Sequence, residues 1–294
     1  MKKILIATTA LALSAGMASA QGVTLSGNGW MGVDYSDTRT ESKALFKSRL
    51  RVQFNMAGET DGGLSFGGSF RADQADDAAG NTMMDGGSVF IGGEFGTIEM
   101  GDVDSALEAT WFRTRHIGVM ENAGGSRASA LGVGETTGAL YTYSMDAFTF
   151  AVSSGQLKTE AGEVSAYSVG AQYSADGFGV GIGYEQADND LAAPGTKLKH
   201  IMISGQASFD NISLRAFAGR LDDSTTKENQ YGFDINASFD AVGVQFRAKR
   251  DFAGNNHVGA GVTYALGGGA TIGASINDVQ NGATTADVGV AFRF

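Results

Sequence analysis

Lys47, Arg49 and Arg51 occupy alternate positions of one run, and Arg71 follows in the next. Arg247 and Lys249 repeat the spacing near the end of the chain. The acids that could answer them gather in one stretch, where Asp102, Asp104 and Glu108 precede Glu121 and Glu135. Alternate residues of an extended chain point to one face, so each basic set reads as a row of positive charge on a strand. Three cations in a row repel one another and call for carboxylates opposite. Bases facing acids across a gap make a transverse field. Water in that gap is ordered, and an apolar solute cannot replace its hydrogen bonds, whereas polar and dipolar solutes can. Such chemistry selects among solutes and breaks no bond.

Covalent chemistry finds little support. His116, His200 and His257 are the three histidines, and none begins a His-Glu-x-x-His zinc motif. No Gly-Lys-Ser/Thr phosphate loop occurs, and Gly179, Gly181 and Gly183 lie in a strand-like run with no following helix to bind a dinucleotide. The absence of Cys removes disulfides, thiolate metal sites and thiol nucleophiles. No catalytic residue is assigned and no cofactor is required. A hydrolase assembled from distant Ser, His and Asp residues remains an alternative.

The elements that position the charged rows have a period of two. Val288, Val290, Phe292 and Phe294 alternate with Asp287, Gly289, Ala291 and Arg293, and Phe46, Ser48, Leu50 and Val52 alternate with Lys47, Arg49 and Arg51. Helical periodicity is nearly absent. Residues 1–20 read as a secretory signal peptide, with Lys2 and Lys3, a short apolar core from Ile4 to Ala15, and Ala18-Ser19-Ala20 for cleavage. No later apolar run is long enough for a transmembrane helix. Among 294 residues, 44 Gly and a single Pro exclude collagen-like and low-complexity chains, and a net charge of −11 argues against a nucleic-acid partner.

Alternation alone does not separate a soluble β-sandwich from a membrane barrel. Aromatics at the strand ends, among them Tyr35, Phe54, Tyr141, Phe178, Phe239 and Phe294, would form interfacial girdles. Short turns such as Asp146-Ala147, Asp210-Asn211 and Asp240-Ala241 alternate with longer polar loops, and the rhythm predicts sixteen strands over 21–294. A barrel of that size is too wide for side chains to fill. Inward glycines such as Gly179, Gly181, Gly183 and Gly273 are expected to leave room for water.

The long insertion at 102–137 breaks the rhythm. Ser105 and Glu108 form a capping-box pattern that predicts a short helix. Leu107, Trp111 and Phe112 need burial, which a loop folded against the inner wall would give; an exposed surface loop is the alternative.

The signal peptide, the sixteen alternating strands, a third outer loop opening Gly-Asp-Val-Asp-Ser-Ala-Leu-Glu and the terminal Phe294 together resemble the general-diffusion porins of Gram-negative bacteria. The likeness is to the Rhodobacter-type alphaproteobacterial porins and covers residues 21–294. It implies a 16-stranded antiparallel transmembrane β-barrel in the outer membrane, a homotrimer among lipid and lipopolysaccharide, and passive diffusion of small hydrophilic solutes and ions. It implies that the third loop makes the constriction, with Asp102, Asp104 and Glu108 on its acidic side. Lys47, Arg49, Arg51 and Arg71 would stand on its basic side, with Arg247 and Lys249 as further members. Family members often bind calcium among loop acids; Asp102 with Asp104, or Asp73 with Asp76 and Asp77, could serve. A barrel whose lumen is plugged, acting as an adhesin or structural protein, is the competing function.

Overall fold

A computed structural model describes residues 22–75, 82–84, 86–120, 138–155, 166–188 and 197–294. In chain order the elements are β1 (Gly22–Ser36), β2 (Ala44–Glu59), β3 (Ser65–Ala75), β4 (Thr82–Met84), β5 (Ser88–Gly93) and β6 (Gly96–Gly101). Then come α1 (Ala106–Thr110), β7 (Gly138–Met145), β8 (Phe148–Ser154), β9 (Ala166–Ala175), β10 (Phe178–Asp188) and β11 (Lys197–Phe209). The chain ends with β12 (Ile212–Asp222), β13 (Lys227–Phe239), β14 (Val242–Arg250), β15 (Asn256–Gly267), β16 (Ala270–Val279) and β17 (Thr284–Arg293).

β4 and β5 both pair with β3, placing Met84 opposite Ala72 and Ser88 opposite Ser69. They are two pieces of one wall strand, interrupted by a one-residue slip in register. The wall is therefore a sixteen-stranded antiparallel barrel. It closes where β1 pairs with both β2 and β17, and Gly27 and Phe294 exchange backbone hydrogen bonds of 2.8 and 3.0 Å. Closure leaves no open sheet edge, as a bilayer demands.

Burial settles which way the greasy faces point. In β10, Val180 and Ile182 are 46% and 50% exposed, while Glu185 is wholly buried. Along the wall His200, Asp234 and Arg247 are buried, and Phe148, Phe178, Phe209, Phe239 and Tyr264 lie on the outside. A soluble sandwich would reverse this order, whereas a barrel with lipid as its outer solvent requires it.

One end of the barrel is closed by tight hairpins. Asp146, Asp176, Asp210 and Asp240 open the turns with φ of 52°, 42°, 45° and 51°. Aspartate tolerates this left-handed region, and such turns match the twist of the paired strands. Gly177 follows Asp176 at φ 85°. Gly177→Val is expected to cost about 1–2 kcal/mol, lowering the temperature at which the folded band is lost in heat-modifiable gel mobility. Asp176→Asn should leave that temperature unchanged.

Candidate functional site

The chain between β6 and α1 is pinned at once, as the Asp102 N–H bonds to Gly87 O at 3.1 Å. Ser105 then caps α1, its Oγ accepting the Glu108 N–H at 3.2 Å, as the Ser-x-x-Glu pattern predicted. Beyond the cap the segment has few backbone partners of its own, and wall side chains take that role. The N–H groups of Ala106 and Leu107 donate to Ser153 Oγ on β8 and Ser168 Oγ on β9, each at 2.8 Å. Phe112 N–H donates to Ser204 Oγ on β11 at 2.9 Å, and Arg215 on β12 donates to Arg113 O at 2.8 Å. Arg115 N–H reaches Asp234 on β13 at 3.0 Å, and Gly118 N–H reaches Gln245 on β14 at 2.7 Å. Each partner belongs to the polar row of its strand. Buried backbone groups must be paired, and this segment pairs them strand by strand around the wall.

Steric fit follows the same track. A Cβ added at Gly183 would lie 2.7 Å from Leu107 Cγ, and one at Gly170 would lie 2.5 Å from Ala106 O. Added at Gly181 it would run into the Thr110 carbonyl, and at Gly179 into the Phe112 ring. Farther along, Gly261 and Gly273 seat Ile117 and Val119, whose side chains would lie 2.6 and 2.9 Å from an added Cβ. For Gly179, Gly181, Gly183 and Gly273 the alternation pattern predicts room for water. They, with Gly170 and Gly261, instead leave room for the backbone and side chains of 106–120. Leu107, Trp111, Met202 and Phe217 form one buried cluster, with Trp111 and Phe217 meeting edge-on at 6.4 Å. Residues 102–120 are thus packed against the wall, not an exposed surface loop.

The basic row of β2 and β3 is held by an acid of its own. Arg49 Nε lies 2.7 Å from Asp73 Oδ1, Arg51 Nη2 lies 2.7 Å from Asp73 Oδ2, and Arg71 Nε stands 4.0 Å from the same carboxylate. Lys47 shares the β2 row and is half-buried. Asp102 lines a small polar pocket with Arg71, Gln53, Ser69 and Ser88, so it stands beside the one base of β3. Asp104 and Glu108 are elsewhere and share Arg113, at 3.1 and 3.5 Å. Arg113 also lies over the Trp111 ring at 5.6 Å. One guanidinium for two carboxylates leaves the α1 region with negative charge to spare.

Arg247 and Lys249 do not join the β2–β3 row. Arg247 is fully buried beneath the segment, donating to Asn277 Oδ1 at 3.1 Å and to Arg115 O at 3.3 Å. It holds the segment down. Lys249 is half-buried on β14, opposite Gly232. Glu121, Glu135, Asp76 and Asp77 lie outside the described residues.

Burial raises the pKa of Glu108, and the nearby Arg113 charge offsets only part of that rise. An acid whose folded pKa is raised stabilises the fold most below its unfolded value, and loses that contribution as pH rises through the folded value. Ser105→Ala removes the cap and is expected to cost about 1 kcal/mol, read as an earlier thermal transition at pH 7.

Two features escaped the sequence. The first is the pairing of Asp73, one of the acids that could hold calcium, whose two oxygens accept from the guanidinium groups of Arg49 and Arg51. Among the described residues no three His, Cys, Asp or Glu side chains gather as a metal site; Asp102 lines the pocket beside Arg71, and Asp104 pairs with Arg113. Glu185 and His200, both fully buried, lie 2.9 Å apart behind Ser105. Gly63-Leu64-Ser65-Phe66-Gly67 has the spelling of a hydrolase nucleophile elbow, but Ser65 opens β3 with no helix after it.

Comparison with known proteins gives one answer throughout. A family profile described as Gram-negative porin matches residues 7–286. A porin of Rhodobacter capsulatus is 33% identical over 92% of this chain and all of its own length. A porin of Fuscovulum blasticum is 25% identical over the same shares. Among solved structures, a refined porin superposes with a TM-score of 0.76 at 30% identity, over 93% of this chain and 100% of that one. A mutant of Rh. blastica porin, 21% identical, shares the fold with a TM-score of 0.73 over the same shares.

Proposed function

The chain belongs to the Gram-negative porin family, and on that premise we propose how its own residues set what passes through it. As a porin it is a non-catalytic, passive diffusion channel of the outer membrane for small hydrophilic solutes and ions. Residues 102–120 lie within the barrel and narrow the pore. The observation that carries this reading is the unbroken series of hydrogen bonds from that segment to the polar rows of β8 through β14, with Ser105 Oγ on Glu185 supplying the β10 link.

In the wall order β3, β4 with β5, β6, β7 and β8 stand between β2 and β9. The arginines of β2 and β3 therefore look toward α1 across the pore. Lys47, Arg49, Arg51 and Arg71 form the basic side, tempered by Asp73, and Asp104 and Glu108 form the acidic side. Asp102 tempers Arg71 in its turn. A polar or dipolar solute aligns in that field and replaces the hydrogen bonds of the water it displaces; an apolar solute cannot. Residues 1–20 act as a signal peptide removed on export, and the exported chain assembles as a homotrimer among lipid and lipopolysaccharide.

Purified protein added to a planar bilayer should give ohmic conductance in steps grouped by threes. Liposomes carrying it should swell in small sugars, and more slowly as sugar size rises. A silent bilayer with correctly inserted protein would instead mean a plugged barrel.

A further inference from the structure

A line of buried polar side chains runs from the cap of α1 into the wall. Ser105 Oγ accepts the Glu108 N–H and donates to Glu185 Oε2 at 3.1 Å. Glu185 Oε1 lies 2.9 Å from His200 Nδ1, and Gln230 Nε2 lies 3.3 Å from His200 Nε2. An amide nitrogen donates, so His200 Nε2 accepts and its Nδ1–H points at the carboxylate. The imidazole is enclosed on its other sides. Phe252 meets it edge-on at 5.4 Å, and a Cβ at Gly219 would stand 2.9 Å from Nε2. Ser105, Glu185, His200 and Gln230 are all buried. A buried carboxylate with no water to solvate it persists only with such donors.

We propose that Glu185 and His200 are positioning residues for the Glu108 carboxylate, setting the ionic preference of the channel without lining its aperture. The proposal rests on the assignment of Glu108 to the acidic side of the constriction. Two effects act together. Glu185 fixes Ser105, and Ser105 fixes the first turn of α1 from which Glu108 projects. Glu185 also places a second negative charge behind Glu108. Among the described residues, the other charged groups acting on Glu108 are Arg113 and Asp104 on its own segment. The groups that meet α1 from β7, β8 and β9 are neutral: Leu140, Ser153, Ser168 and Gln172. Among the described residues, Glu185 is therefore the wall charge that acts on Glu108, in line with the upward push on the Glu108 pKa that burial begins and Asp104 and Glu185 add to. His200 keeps Glu185 in place, with its Nδ1–H on the carboxylate and its Nε2 satisfied by Gln230.

The test is the reversal potential in a salt gradient, measured from pH 4 to 8 for the full-length channel. Glu108→Gln should lower cation preference and remove the acid limb of the profile. Glu185→Gln keeps shape and removes the charge, so the acid limb should move to lower pH. His200→Leu removes the Nδ1–H that faces Glu185 Oε1 and should blunt cation preference about twofold at pH 7. His200→Gln, which can donate to Glu185 and accept from Gln230, should restore it. Ser105→Ala breaks the link without altering the wall and carries the same expectation if His200→Leu fails to assemble. Wild-type profiles for Glu185→Gln and Ser105→Ala would overturn the proposal. A wild-type profile for Glu108→Gln would instead overturn the placement of Glu108 at the constriction.

Discussion

Gly181→Val is expected to open the channel: conductance should rise severalfold and ionic selectivity should weaken. The position is the least forgiving in the bed beneath α1, because the added Cβ would meet the Thr110 carbonyl, a backbone atom that cannot rotate away. The strand carrying Gly181 is bonded on both sides, to β9 and β11, and cannot retreat. Overpacking of a well-filled site costs about 1–3 kcal/mol. Here the relief is to lift the Thr110 turn, whose local polar ties are single hydrogen bonds to Ser168, Gln172 and Ser204, each worth about 1 kcal/mol, rather than to part the wall ladders. The wall ladders stay intact. Gly205→Ala in the neighbouring strand, where the nearest atom would be 3.3 Å away, should conduct like the parent channel. If Gly181→Val inserted normally and conducted like the parent, the segment would not be what narrows the pore.

The second large effect is on ion selectivity. A unit charge about 8 Å from the ion path in water contributes about 0.5 kcal/mol, with opposite sign for cation and anion. Screening at about 0.1 M salt roughly halves that, so each charge changes the permeability ratio about twofold. Replacing Arg49, Arg51 and Arg71 together by glutamine should therefore raise the cation-to-anion permeability ratio about tenfold. Asp73→Asn should move the ratio about twofold the other way, because it releases Arg49 and Arg51 from their shared carboxylate. Opposite signs at adjacent positions are hard to obtain from general loosening of the barrel. An unchanged reversal potential in both variants would place this row away from the ion path.

The barrel itself was readable because its code is local. A period of two needs only neighbouring residues, and tight Asp-led turns mark where each strand reverses. Ser105 and Glu108 announced α1 for the same reason: a cap joins residues three apart. What sequence could not show depends on who stands behind whom. Gly179, Gly181 and Gly183 look alike whether the space above them holds water or chain, and the structure fills it with Leu107, Thr110 and Phe112. Arg247 has the strand phase of a pore-lining cation, but Asn277 and the Arg115 carbonyl claim it. Ser105 and Glu185 meet across 80 positions of sequence, with no periodic signal to bring them together. Asp73 was visible as an acid, but not as the partner of Arg49 and Arg51, because register between strands sets that pairing.

The chain contains no cysteine, so one introduced thiol reports on one place. Glu108→Cys, reconstituted in a bilayer and treated with a small anionic thiosulfonate, tests most directly whether the α1 segment borders the ion path. Conductance should fall in discrete steps as each pore is modified, cation preference should recover toward the parent value, and reductant should reverse both. Complete modification by mass with unchanged conductance and reversal potential would contradict the account.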